Sequence, residues 1–207
     1  MSGFTKDKYV PLVDRDSGDI NYPIWLLVNP KYLSVVNDIW KHVLDVIQDK
    51  AYREIHDRID TTNIYIRSVV SDCGVVPNTQ NWWGNEVASE IKLLRELVIE
   101  YKPKMIISFG AFPFEFLRRV FEITPEKGPK YWSSSIIRDE FEKSLADFDV
   151  NQTNMIPLLR RVNDSDKFIE TRNYFDGNDR EQYFRHVGTK IAERIIENKD
   201  SLNVWMK

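Results

Sequence analysis

The chain has 207 residues, of which 42% are hydrophobic and 29% charged, an ordinary globular composition able to close a sizeable core. Its 29 Lys and Arg stand against 32 Asp and Glu, a formal charge of −3. That balance excludes a domain-wide basic surface for non-specific nucleic-acid binding, while leaving room for a local basic patch. No apolar run approaches the ~20 residues of a membrane span, Met1–Val10 lacks an apolar leader core, and the single cysteine, Cys73, excludes an internal disulfide and a Cys-rich metal site. These features predict a cytoplasmic protein with no membrane partner and no resident cofactor or metal.

Residues 1–21 are polar and mixed and predict an N-terminal extension in which Asp14–Asp19 form an exposed turn. Ile24-Trp25-Leu26-Leu27-Val28 is a continuous apolar run stopped by Asn29-Pro30, the pattern of a parallel strand buried on both faces. From Leu33 to about Ala51 the residues Val36, Ile39, Trp40, Val43 and Ile47 recur at helical spacing, and a helix-compatible charged stretch continues to Asp60. Residues 64–70 read as a second strand, closed by Ser71-Asp72-Cys73-Gly74.

A turn-rich loop containing Trp82-Trp83 leads to Asn85, the expected N-cap of a helix with core stripe Val87, Ile91, Leu94, Val98 and Tyr101. Lys102-Pro103 ends that helix, because a residue before proline disfavours the α conformation. A third strand over 104–109 then meets Gly110-Ala111 and a helix through Phe121. Residues 123–153 read as an insertion holding one short helix near Ile136–Phe148, with Ser133–Ser135 in a polar loop. Residues 154–159 are the fourth strand, assigned to a sheet edge by Pro157. A helix from about Asp179 to Asn198 closes the chain, with Phe184, Val187, Ile191 and Ile195 on one face.

Strands alternating with helices predict one α/β domain over 1–207, a three-layer α/β/α sandwich around a short, mostly parallel four-stranded sheet. Ligands of such sheets bind beyond the carboxyl ends of the strands. Those ends are Asn29–Tyr32, Ser68–Gly74, Ser108–Phe112 and Leu159–Val162. Glycine cradles for dinucleotides or nucleoside triphosphates are absent, as is a nucleophile elbow. His42, His56 and His186 are scattered, and Glu115 with Arg119 reads as a surface pair one helical turn apart. Trp82 and Trp83 offer a stacking platform for a base or sugar, against a reading in which one of them only covers the core.

Three strand ends together resemble the uracil-DNA glycosylase superfamily. Trp25-Leu26-Leu27-Val28-Asn29-Pro30-Lys31-Tyr32-Leu33-Ser34 is similar to the first motif of its mismatch-specific members. Ile64–Val70 is similar to the second strand, Lys102–Ala111 to the next helix end, strand and Gly-Ala turn, and Met155–Leu159 falls where the last strand delivers the second catalytic motif. The resemblance implies hydrolysis of the N-glycosidic bond of a flipped-out base, with Asn29 positioning the attacking water. This chain departs from the pattern at three places: Arg160-Arg161 stands where His-Pro-Ser begins, Ser68 where an Asn reads uracil, and Lys31 where a Gly lets the backbone approach the base.

Three readings follow. The first is an active glycosylase using Asn29 and Arg160 on a damaged base. The second is a divergent relative that binds a nucleobase, nucleotide or nucleic acid with weak or no excision, through Lys31, Tyr32, Ser68, Gly110, Arg161, Trp82 and Trp83. The third is an unrelated α/β enzyme that uses Asp72 or Cys73 at the same edge. In the binding readings Lys31, Arg160, Arg161 and Arg172 form the local basic set that offsets the acidic chain.

Overall fold

The computed structural model describes residues 16–70, 83–128, 130–162 and 180–206. A five-stranded sheet lies at its centre: β1 (Asp16–Ser17), β2 (Ile24–Val28), β3 (Tyr65–Ser68), β4 (Met105–Phe109) and β5 (Asn154–Leu158), in the order β1-β3-β2-β4-β5. The last four strands are mutually parallel, as the alternation of largely apolar strands with helices predicts, and all five residues of β2 and of β4 are buried. β5 sits at one edge, where Pro157 disrupts no outer ladder.

The fifth strand corrects the four-stranded expectation. Asp16–Ser17, expected in an exposed turn, pair antiparallel with Ile66 and Arg67 on the other edge. The cause is a charge that strand patterning does not reveal. Arg67 is buried within β3, and it bonds the Asp16 carboxylate at 2.7 Å, with Glu90 at 3.7 Å. A buried guanidinium is tolerated only when paired, and β1 brings the partner. Gly18, at φ +86°, completes the turn, since a Cβ there would lie 2.1 Å from the Ile64 carbonyl oxygen.

Five helices cover the sheet: α1 (Lys41–Ile55), α2 (Asn85–Tyr101), α3 (Ala111–Val120), α4 (Ser134–Ala146) and α5 (Arg180–Glu197). Helices α1, α4 and α5 pack on one face through Val43, Ile47, Ile137, Phe141, Val187 and Ile191. Helix α2 and much of α3 pack on the other through Val87, Leu94, Val98, Phe116 and Leu117. The α/β/α layering is thus as the alternation of elements predicts.

Several boundaries differ from the sequence reading. The helix expected from Leu33 starts with a 3-10 turn over Pro30–Tyr32 and a π-helical turn over Val36–Trp40, and α1 ends at Ile55, where His56 turns left-handed at φ 54°. Asn85 opens α2 rather than capping it, with Gly84 in the cap position. Ser133 caps α4 through its own hydroxyl, so Ser134 and Ser135 are helical and not in a loop. Among the described residues no helix is long and apolar enough to cross a membrane.

Gly188 is where α5 comes closest to α1. A Cβ at this position would meet the Val46 Cβ at 2.6 Å and the Val43 carbonyl oxygen at 2.9 Å, both on packed helix rather than flexible side-chain ends. Gly188→Ala therefore overpacks the interface and is expected to lower stability by ~1–3 kcal/mol. A urea midpoint equal to that of the parent would show that the two helices separate at no cost.

Candidate functional site

Strand order decides where a ligand can sit. Strand β2 is followed by α1 on one face of the sheet, and its neighbour β4 is followed by α3, which packs with α2 on the opposite face. The chain thus leaves two adjacent parallel strands toward opposite faces, which is the switch point where open α/β sheets place their ligand crevice, beyond the carboxyl ends. Asn29–Tyr32 form one wall and Gly110–Phe112 the other. The end of β5, at Leu159–Arg161, lies beside the second wall, because the Gly110 amide donates to the Leu158 carbonyl at 2.8 Å.

Arg160 spans this crevice. Its guanidinium carbon lies 4.1 Å from the centre of the Tyr32 ring, and that of Arg161 lies 5.9 Å from the same ring. The side chain reaches Tyr32 by passing Gly110. That residue holds φ +84°, and a Cβ on it would lie 3.0 Å from the Arg160 Cβ. Two guanidinium groups beside one aromatic ring give a concentrated positive charge with planar, bidentate donors, the chemistry suited to phosphate or carboxylate. Helix α3 begins at the same place and contributes its positive end.

Asn29 is buried, and its Oδ1 accepts from the Lys31 amide at 3.0 Å. This bond caps the 3-10 turn that carries Tyr32, whose own amide donates to the Asn29 carbonyl at 2.8 Å. Lys31 is exposed on that turn. Ser68 ends β3 directly opposite Val28 in the register and is buried next to the β2 terminus. Asn29, Lys31, Tyr32, Ser68, Gly110, Arg160 and Arg161 therefore share one edge of the sheet, with Arg160 stacked on Tyr32 and Arg161 near the same ring.

Trp83 behaves differently from the stacking platform expected of it. It is half-buried, packs 5.6 Å from Phe112, and carries the Arg119 guanidinium 3.5 Å from its ring centre. One ring face is thus covered by a residue of α3, and Trp83 anchors the start of α2. Trp82, Asp72, Cys73 and Arg172 lie outside the described residues.

Glu115 also corrects the sequence reading. It is fully buried, not a surface partner of Arg119 alone: Arg118 donates to it at 2.8 Å, the Lys127 amide at 2.8 Å and the Trp132 indole at 3.0 Å. This cluster ties the segment after α3 back onto the helix. An i,i+4 spacing carries no information on burial, so no sequence signal marked it. His186 is likewise not a simple surface residue, since it bonds Glu142 across α5 and α4. Sequence reading assigns Arg180 no role and His42 only a place among scattered histidines, yet the two meet at the start of α5 and α1. The i,i+4 spacing of Arg180 and Phe184 was the available signal.

No protein-family model matches the chain, and no curated protein matches it significantly.

Gly110→Ala tests the crossing of Arg160 over the crevice. A left-handed alanine is strained, and its Cβ also displaces Arg160, so a loss of ~1–2 kcal/mol is expected, with Arg160 moved off the Tyr32 ring. Chemical denaturation reads the first effect and the Tyr32 ring proton shifts read the second; unchanged shifts would refute the crossing.

Proposed function

We propose that the carboxyl edge binds a nucleotide-bearing ligand, with Arg160 and Arg161 taking a phosphate and Tyr32 holding the guanidinium in place, and that base excision is weak or absent. The observation that carries this reading is the Arg160 guanidinium stacked on Tyr32 across the crevice between β2 and β4. An aromatic face beneath a planar cation restricts its rotation, so less side-chain entropy is lost when a phosphate binds. The resemblance to the glycosylase superfamily supports the class of ligand, since the same edge there receives a nucleobase.

The state of Asn29 favours binding over hydrolysis. A water-positioning amide needs its carbonyl oxygen turned to solvent, whereas this one accepts from Lys31 and is almost wholly buried. Arg160 stands where a neutral imidazole donor would meet the departing base, and the loss of one preorganised donor typically costs ~10²–10³ in rate.

Titration calorimetry with thymidine 5′-monophosphate tests the binding. Arg160→Ala is expected to weaken it about 10-fold or more, the ~1.5–3 kcal/mol of a charge-assisted hydrogen bond, and Lys92→Ala on the exposed side of α2 to leave it unchanged. Equal effects of the two variants would sink the reading. A single-turnover assay on a uracil-containing single strand tests the rest: no excision is expected. Excision abolished by Arg160→Ala and retained in Lys92→Ala would instead assign this edge as an active glycosylase site.

A further inference from the structure

We propose that Arg180, His42 and Phe184 form a second phosphate subsite next to the first, so that the ligand carries successive phosphates along a strand. This rests on the reading of the carboxyl edge given above and extends it to residues that no motif marks. Arg180 Nη2 lies 3.2 Å from His42 Nε2. A guanidinium nitrogen only donates, so in this contact the His42 nitrogen is the acceptor. The imidazole stacks on Phe184 at 4.8 Å and 23°, and the Arg180 guanidinium lies 5.4 Å from the same Phe184 ring. Phe184 is buried, so this cation–aromatic stack is anchored in the core under α1 and α5.

The stack, like Arg160 on Tyr32, sets a guanidinium over an aromatic ring, and one hydrogen bond links the two elements that bear them. Tyr183, the neighbour of Phe184, is fully buried and its hydroxyl accepts from the Leu159 amide at 2.9 Å. Leu159 immediately precedes Arg160. The first turn of α5 is therefore bonded to the strand end that bears Arg160 and Arg161, while His42 opens α1, ten residues beyond Tyr32. Among the described residues, Arg160 and Arg161 follow the strand end to which this turn is bonded, and Arg180 opens the helix that bears Phe184. Tyr32 and Phe184 thus each carry a guanidinium over an aromatic ring. A single phosphate occupies one plate; two plates joined through Leu159 and Tyr183 suit neighbouring phosphates of one strand.

The test compares single-stranded octathymidylate with thymidine 5′-monophosphate, each titrated over a range of salt. Arg180→Ala is expected to weaken the octamer several-fold and to lower its log K against log salt slope by ~0.7, the loss of one phosphate contact on a single strand, with the mononucleotide unaffected. Arg180→Lys keeps the charge, so it should retain the slope while losing the planar fork, and it reads the same site should the alanine variant unfold. Arg160→Ala should weaken both ligands. If Arg180→Ala leaves the octamer unchanged, or weakens both ligands equally, the second subsite is overturned while the first stands on its Arg160 dependence. If the parent protein binds neither ligand, the reading of the rim fails and the second subsite fails with it.

Discussion

The absence of a side chain at Gly110 is the constraint on which the candidate site depends. Strands β2, β4 and β5 lie side by side, so a residue at the end of β5 can contact the loop after β2 only by passing over the end of β4. With φ +84° and no Cβ, Gly110 leaves that passage, and Arg160 uses it to reach Tyr32. The crevice itself follows from topology, because the chain leaves β2 and β4 toward opposite faces of the sheet. Strand order thus provides the cleft, and one glycine lets a cation cross it.

Buried charge organises the rest of the fold in the same way at two further places. Arg67 recruits Asp16 and with it a fifth strand. Glu115 recruits Arg118, the Lys127 amide and Trp132, and with them the segment joining α3 to α4. Removing one member of such a buried pair strands the other charge in a medium that solvates it poorly, at a typical cost of ~3–5 kcal/mol. The first cluster joins residues far apart in sequence, and the second folds the segment after α3 back onto that helix.

How much of this was legible follows from how each feature is encoded. The four parallel strands were readable because strands buried on both faces are largely apolar, as Ile24–Val28 is throughout and Met105–Phe109 is apart from Ser108. Pro157 marked an edge for a reason of backbone chemistry, and an edge is where it lies. Strand β1 was not readable: two polar residues, Asp16 and Ser17, have no strand pattern, and their placement depends on Arg67, which is distant in sequence. Helical spacing identified Glu115 and Arg119 as neighbours but could not say that a third element would cover them. The positions of Asn29, Gly110 and Arg160 on one edge were readable from strand ends alone. Their contacts were not, because the stacking of Arg160 on Tyr32 depends on which strands are adjacent.

The turn after β2 connects these observations to chemistry. It is a 3-10 turn, whose negative φ values any residue adopts, so Lys31 stands there without strain where a glycine would be needed for a left-handed turn. The same turn uses the Asn29 carbonyl oxygen as its cap, which aims the amide inward and leaves Tyr32 presented to Arg160. Lys31, Asn29 and Tyr32 are therefore one linked conformational choice. A loop built this way gives up an acceptor that could orient water and gains a fixed aromatic plate under a cation. That exchange, made within four consecutive residues, is the physical ground on which phosphate binding rather than glycosidic hydrolysis is proposed for this edge.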